Sequence, residues 1–535
     1  MPLLAPAVSS RDSQDMTSHH STCSSNFINN LSCPVKRLSL VLIQQDNKSR
    51  KHGLMVPVLE LPVDLFLSIF LHLSIRDVLN LRQTCKGFTE ITQLRSVWHL
   101  LLTTNILERN IPVPGFNHLS IESLTASELE QLAFQALQLR RTWTQLSPAA
   151  SNEYTLKCDV LPTRLGVVAL EFIPGRGNRY LLSLALASNL GRLYSLQCWD
   201  LEASPPDCIA MRTVQQCGWF ILNSDHASPA VLAVQSPDIE LLDIDFSGTN
   251  PMTGFVRTTT IEGRTDTLQG LHGSTVVTTD DQNRVHMWDT GNPDAHLELR
   301  SPNGESEMLL DVIIQDQFAI VIRRTALEIY GTHSLGSESP SIVVSPIVVH
   351  RWVWKLDSVS MAPQASCVTT RSTRPPSINV LIRYGSLLPW PVNLLHHYVL
   401  HPNGLYDASR PVDASNVPYE VTLATRRTIG SPIRLFATYH MAMGRYGTAV
   451  WIDSHTEDYF GRTDRGQRLA GSLLLDLQVG DDREEVPEAR VESTMESTVF
   501  LVSENDNWTR LAVSEEEGRI AVGSVDGTIT VLEYA

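Results

Sequence analysis

The periodicity of the apolar residues changes once along this chain, and that change limits what it can fold into. Between Val58 and about Leu146, apolar positions recur every three or four residues, as on one face of a helix. From about Tyr154 onward they form short alternating runs broken by turn residues, as in half-buried strands. At 535 residues the chain exceeds one ordinary domain, so the helical and strand-rich parts read as separate units. Residues 1–55, rich in Ser, Asn and Gln and without sustained periodicity, read as a disordered tail. Its basic clusters, Lys36-Arg37 and Lys48-Ser49-Arg50-Lys51, are not continuous blocks and are expected to be solvated rather than to direct nuclear import.

Within the helical part, Leu61-Pro62 opens a first helix, since proline is at home in a first turn, where its missing N–H costs nothing. Leu65, Ile69 and Leu73 follow at four-residue intervals, with Phe66 and Phe70 widening the apolar face. Ser74 and Asp77 resemble a capping box for a second helix, with aspartate in place of the usual Glu or Gln. Val78, Leu81 and Cys85 form its apolar stripe, continued by Phe88, Ile91 and Trp98. About forty residues cannot bury so many large side chains among themselves, because small domains keep a high ratio of surface to volume. An apolar face is left over for a partner. The Leu61-Pro62 start, the Leu/Ile run, the Asp77-Val78 turn, Cys85-Lys86 and the closing Trp98 resemble the F-box, the adaptor-binding module of Skp–cullin–F-box ubiquitin ligases. The resemblance implies that Leu61, Pro62, Leu65, Ile69, Val78, Leu81 and Cys85 face a Skp-type adaptor and, through it, a cullin.

A turn-rich stretch, Ile111-Pro112-Val113-Pro114-Gly115, separates this segment from a helix expected over Thr125 to about Leu146. Thr125 and Glu128 form its capping box, and Leu129, Leu132, Ala136 and Trp143 lie on or near one stripe. Its expected role is a rigid bridge. The boundaries then fall at 56–100 for the F-box, 101–150 for a helical linker and 151–535 for the strand-rich domain.

The strand pattern is clearest at the far end, where Gly518–Ser524 and Thr528–Glu533 flank Asp526-Gly527. Asp-Gly between alternating apolar runs signals a hairpin, because both central residues of a type I′ turn need positive φ. The pattern has an earlier echo: Asn283 sits six residues before Asp289, as Gly527 sits six before Glu533. Strand ends recur at Trp199-Asp200, Ile329-Tyr330 and Trp451-Ile452-Asp453. Such recurrence resembles WD-repeat propellers, whose blades are four-stranded sheets around a channel. The usual Gly-His dipeptide is missing from most repeats. About 380 residues at roughly 45 to 55 per blade give seven or eight blades, and seven is the expectation; a pair of β-sandwiches is the rival. Ring closure is expected to pair Thr528–Glu533 with a strand over Tyr154–Val160, which removes an open sheet edge. The expected fold class is therefore multidomain, a helical F-box and linker followed by an all-β propeller.

Function classes can be narrowed further. A net charge of −16 opposes general nucleic-acid binding, which needs a basic surface to neutralise phosphates. Eight scattered cysteines without a Cys-x-x-Cys pair suggest neither a zinc site nor a disulfide framework. With no secretory signal and no apolar run near the ~20 residues that cross a bilayer, an intracellular protein is expected, and the sequons at Asn30, Asn47 and Asn507 become chance matches. Gly175-Arg176-Gly177 lacks the third glycine of a dinucleotide fingerprint, and no Walker, nucleophile-elbow or His-Glu-x-x-His motif occurs. His396 and His397 are adjacent and would point to opposite faces of a strand. No catalytic residue, cofactor or metal is expected. Arg323-Arg324 and Arg426-Arg427 are candidate contacts for an anionic target, with one useful arginine per pair at best. The acidic stretch Asp481–Glu496 reads as a solvated loop. An adaptor module followed by a propeller resembles a ubiquitin-ligase substrate receptor, whose propeller loops hold a target protein for degradation. The alternative is a scaffold that joins partners without degradation.

Overall fold

The computed structural model describes residues 61–535 apart from 117–119, 158–164, 177–178, 188–191, 249, 263–265, 303–306, 316, 333–340, 366–373, 386–393, 421, 435–437, 456–464, 475–493 and 496. The tail with its basic clusters, and nearly all of the acidic stretch 481–496, lie outside the described residues.

The helical part holds α1 (Val63–Phe70), α2 (Ile75–Arg82), α3 (Lys86–Thr92), α4 (Arg95–Leu102) and, after a π-helical turn over Thr103–Leu107, a longer α5 (Ala126–Trp143). Pro62 stands immediately before α1. The box at α2 closes as expected despite the shorter aspartate: the Asp77 N–H donates to Ser74 Oγ at 3.2 Å and the Ser74 N–H to the Asp77 carboxylate at 3.3 Å. At α5 the Glu128 N–H donates to Thr125 Oγ1 at 3.3 Å and the Thr125 N–H to the Glu128 carboxylate at 2.7 Å. The helix stops at Trp143, short of the expected Leu146, where the Thr144 hydroxyl donates to the Arg140 carbonyl of the last turn at 3.0 Å.

Phe66, Phe70, Ile75, Val78, Val97, Trp98, Leu101 and Leu102 form the helical core. Phe66 meets Phe88 edge-on with ring centroids 5.9 Å apart, and Trp98 Nε1 donates to the Thr92 carbonyl at 2.9 Å, so the buried indole is satisfied. Leu65, expected on the adaptor face, is exposed, with Ile69 and Leu73 half-buried beside it. Both faces of α1 are apolar, and the two phenylalanines, with more surface to remove from water, take the inside.

Among the described residues, seven sheets form the seven blades of a propeller. Blades 1 to 6 span 165–214, 220–261, 267–299, 309–351, 356–430 and 440–503, and blade 7 joins 508–533 to 152–157. Short parallel strands, Ser341–Val344 and Thr494–Met495, extend blades 3 and 5. Within each blade the chain runs from the innermost strand outward with antiparallel neighbours. First–second and third–fourth connections therefore share one end of the propeller, and second–third hairpins share the other with the crossovers to the next blade. The first is called here the linker end and the second the crossover end.

The ring closes where the sequence indicates. Asn152–Lys157 pairs antiparallel with Thr528–Glu533, from Asn152 opposite Glu533 to Lys157 opposite Thr528. The closing strand begins two residues before the expected Tyr154, and residues 158–160 lie outside the described residues. Gly527 and Asn283 are equivalent, with φ of 81° and 57°, and their N–H groups close turns onto Ser524 and Asp280 at 3.1 and 3.0 Å. Asp526 does not share the positive φ, so the hairpin is not type I′ but a longer loop closed by one left-handed residue. On third strands, Trp199 and Trp288 donate to Ser183 Oγ and Thr278 Oγ1 of the neighbouring second strands, at 3.0 and 2.9 Å. Trp451 breaks the series: its strand, Thr448–Ser454, is the second of blade 6. The Trp-x-Asp spacing puts both side chains on one face of that strand, where Trp451 Nε1 donates to Asp453 at 2.8 Å.

Helix α5 belongs to two cores. Its first half packs on the helices, with Trp98 and Phe134 rings 6.0 Å apart and Arg82 paired to Glu130 at 2.7 Å. Its second half puts Leu139 and Trp143 among Val450, Phe500, Ile520 and Tyr534 of blades 6 and 7. Trp143 lies edge-on to Phe500 and Tyr534 at 6.0 and 6.3 Å. Gly518, at φ 63°, sits so close that a Cβ there would fall 2.4 Å from Leu139 Cδ1. The chain then enters the ring at the linker end, where the Ser151 N–H donates to the Glu533 carbonyl at 2.7 Å.

Candidate functional site

Two regions can receive partners. On the helical part, the aromatic core leaves an apolar surface outside: Val63, Leu65, Leu71 and Leu94 are 42, 48, 47 and 39% exposed. Pro62 and Cys85 are exposed beside them in sequence, and Leu61, Ile69 and Leu81 are half-buried. The scaffold beneath is stiff. Arg82 donates to Thr92 as well as to Glu130, and Arg95 donates to the carbonyls of Ile121, Glu122 and Leu124, fastening the approach to α5.

On the propeller, the innermost strands enclose a channel of about 1270 Å³ lined in part by Glu171, Asp311 and Glu515. Burial pushes all three carboxyls up to about 7. Two of them also tie blades together. Glu515 accepts the Tyr446 and Thr448 N–H groups at 2.6 and 2.5 Å, and Asp311 accepts the Met361 N–H at 2.9 Å. Burial, helped by the Arg510 charge, pushes His440 down to about 4 and keeps it neutral. Among the described residues no group of His, Cys, Asp or Glu is placed to hold a metal ion.

The paired arginines divide as strand alternation requires. Arg323 is buried, pairs with Glu328 at 2.8 Å and donates to the carbonyls of Asn283, Glu307 and Leu299, so it serves the fold. Arg324 is exposed. Arg427 donates to the Leu473 carbonyl at 2.8 Å, while exposed Arg426 meets His401 at 2.7 Å. His397 is buried beside Asn379 and His396 packs on the Tyr384 ring, on opposite faces.

Residues 58–104 match the F-box-like family model. The helical segment is an F-box-like domain. Domains of this kind generally bind Skp-type adaptors. The propeller is similar to a chain in the structure of a humanized mutant of the Chaetomium thermophilum Polycomb Repressive Complex 2 bound to an inhibitor: 10% identity, 72% of this chain and 97% of that one covered, TM-score 0.43. A second structure, of ctPRC2, gives 9% identity, 74% and 99% coverage and a TM-score of 0.44. Neither likeness is close enough to bear on fold or function. No curated protein sequence matches the chain.

The F-box-like domain brings only part of the expected adaptor set to its surface. Pro62, Leu65 and Cys85 are exposed and Leu61, Ile69 and Leu81 partly so. Val78 is not: at 0% exposure it is a core residue of the domain and offers a partner nothing. Exposed Cys85 differs from the expectation only in not belonging to the stripe of α2. α2 ends at Arg82, and Cys85 lies beyond it as the residue that precedes α3. The exposed Val63, Leu71 and Leu94 were not expected from spacing, which cannot tell an apolar face that packs from one that does not. No helix among the described residues is long and apolar enough to cross a membrane.

Proposed function

We propose that this chain is the substrate-recognition subunit of a Skp–cullin–F-box-type ubiquitin ligase and is not itself an enzyme. The F-box-like domain would take a Skp-type adaptor, and through it a cullin, on the apolar surface around Pro62, Leu65 and Ile69. The propeller would hold a target protein by its loops, and ubiquitin transfer would be done by the rest of the ligase. The observation that carries this reading is α5, one helix shared by the two cores. It fixes an exposed apolar face at one end of a rigid propeller, so that a held target is presented at a constant distance. Holding two proteins at fixed separation raises the local concentration of one beside the other, and that is the contribution a receptor makes. In that role it would work inside the cell, in the cytoplasm, the nucleus or both.

The test is affinity capture by the full chain and by Leu65→Asp under proteasome block. The variant should lose the Skp adaptor and cullin, keep the propeller's partners, and cause at least one of those to accumulate with less ubiquitin. If the partners remain bound but their abundance and ubiquitination ignore the variant, the protein is a scaffold instead.

A further inference from the structure

The crossover end of the propeller, opposite the end where α5 enters, carries an exposed apolar group. In the crossover from blade 4 to blade 5, Val353 is 83% and Trp354 63% exposed, and Met308, in the preceding crossover, is 47% exposed. These side chains are not on slack loops. Trp352 between them and blade 4 is buried, its ring 5.1 Å from that of Tyr398 and its backbone N–H donating to the Thr325 carbonyl at 2.8 Å. The Leu356 N–H donates to the Arg324 carbonyl at 2.7 Å, and the Arg324 N–H to the Met308 carbonyl at 3.2 Å. One hairpin thus pins both crossovers, and the exposed residues sit on backbone held in place. An aromatic side chain on a loop whose backbone is already held spends less ordering entropy on binding, which favours an interface hot spot.

Among the described residues of these two crossovers and the hairpin between them, the exposed charges are cationic. Arg324, Arg351 and Lys355 are exposed at its edge. The nearby carboxylates are engaged internally: Glu307 accepts from Thr325, and Asp357 accepts from the Tyr439 hydroxyl. A cationic rim on a chain of net charge −16 is a local reversal. Phosphate recognition would want several guanidinium forks converging on one point. Here Arg323 and Arg383 are turned inward, onto Glu328 and Ser431, and the remaining cations are spread around an apolar centre.

We infer that this surface binds a protein segment rich in Asp and Glu that presents one bulky apolar residue to Val353 and Trp354. The inference deepens the receptor reading by naming its target chemistry. Its test uses neither adaptor nor ligase, so either can fail without the other. A phage-displayed library of short random peptides is selected on the full-length protein, and the enriched peptides are synthesised and measured by fluorescence anisotropy, beside serine-phosphorylated versions. Enriched peptides should combine acidic residues with a bulky apolar one and weaken with salt. Trp354→Ala and Arg324→Glu should each cost about tenfold or more in affinity, with the thermal midpoint of Trp354→Ala unchanged because that side chain is exposed. An enriched set without acidic bias, binding that Trp354→Ala leaves intact, or binding only by phosphorylated peptides each overturns the inference, as does failure to enrich any peptide.

Discussion

The F-box-like domain and the seventh blade are both too small to enclose a core alone, and they meet that shortage in opposite ways. The blade takes strands from residues 152–157 and 508–533 and is covered on its flank by α5. Its large side chains, Ile529, Val531, Leu532 and Tyr534, are almost fully buried. The domain packs two phenylalanines and a tryptophan and leaves four aliphatic side chains in water. The difference separates apolar residues that hold the molecule together from those kept for a partner, although the two kinds look alike in sequence.

The comparison can be broken first at the blade. Deleting residues 528–535 removes a middle strand, orphans Asn152–Lys157 and takes away four buried side chains, each worth roughly 1.5–3 kcal/mol. Such a loss is comparable to the whole stability of a domain, about 5–15 kcal/mol. Calorimetry should show no cooperative transition for the propeller; a transition at the intact protein's midpoint would contradict closure at this strand.

Trp143→Ala comes next, with an expected cost of about 3–5 kcal/mol for a large buried aromatic. Because Trp143 serves the blades and not the F-box-like core, limited proteolysis should cut near α5 while adaptor capture survives. Equal loss of both would mean that the two cores are not separable.

Leu65→Asp and Val78→Asp sharpen the comparison within one domain. The first should leave the thermal midpoint in place and weaken adaptor binding by about tenfold or more, the value of one buried leucine. The second should unfold the domain, because it buries an unpaired charge. Identical behaviour of the two variants would remove the distinction between face and core.

How much of this was legible in the sequence depended on how local the determinant was. The Ser74/Asp77 and Thr125/Glu128 boxes, the left-handed Asn283 and Gly527, and the pairing of Thr528–Glu533 with the first strand all follow from spacing within a few residues or from the need to close an edge. The burial of Phe66 and Phe70 did not, since both faces of α1 are apolar and only the neighbours decide which side chains are covered. Cys85 was misplaced because a helix ended three residues earlier than the stripe suggested. Trp451 lies near the end of a strand as expected, but Trp-x-Asp and Trp-Asp look alike until the register shows that this strand is the second of its blade. The exposure of Trp354 follows from hydrogen bonds between three loops, which no local pattern contains.

The smallest expected effect concerns the channel. A carboxyl raised from its ordinary value to about 7 binds a proton in the folded state that the unfolded chain has released. The contribution of Glu171 to stability is therefore fully present below about pH 4.5 and is lost as pH rises toward and through 7. Glu171→Gln should flatten this dependence and raise stability at pH 8 by roughly 1 kcal/mol, because the open channel screens the charge. Chemical denaturation at pH 5 and 8 measures it; an unchanged pH dependence would show that the carboxylate is already ionised without penalty.

The closing strand also fixes an order of events during synthesis. Asn152–Lys157 leaves the ribosome some hundreds of residues before Thr528–Glu533 exists to pair with it. Leu139 and Trp143 wait just as long for Ile520 and Tyr534. The F-box-like domain, whose contacts are local, can form as soon as it is made, whereas the ring and its grip on α5 can form only after residue 533 has emerged. A nascent chain would therefore display the exposed apolar face of its F-box-like domain well before its propeller could close, and interruption of synthesis in any late blade would leave that face attached to an unclosed sheet.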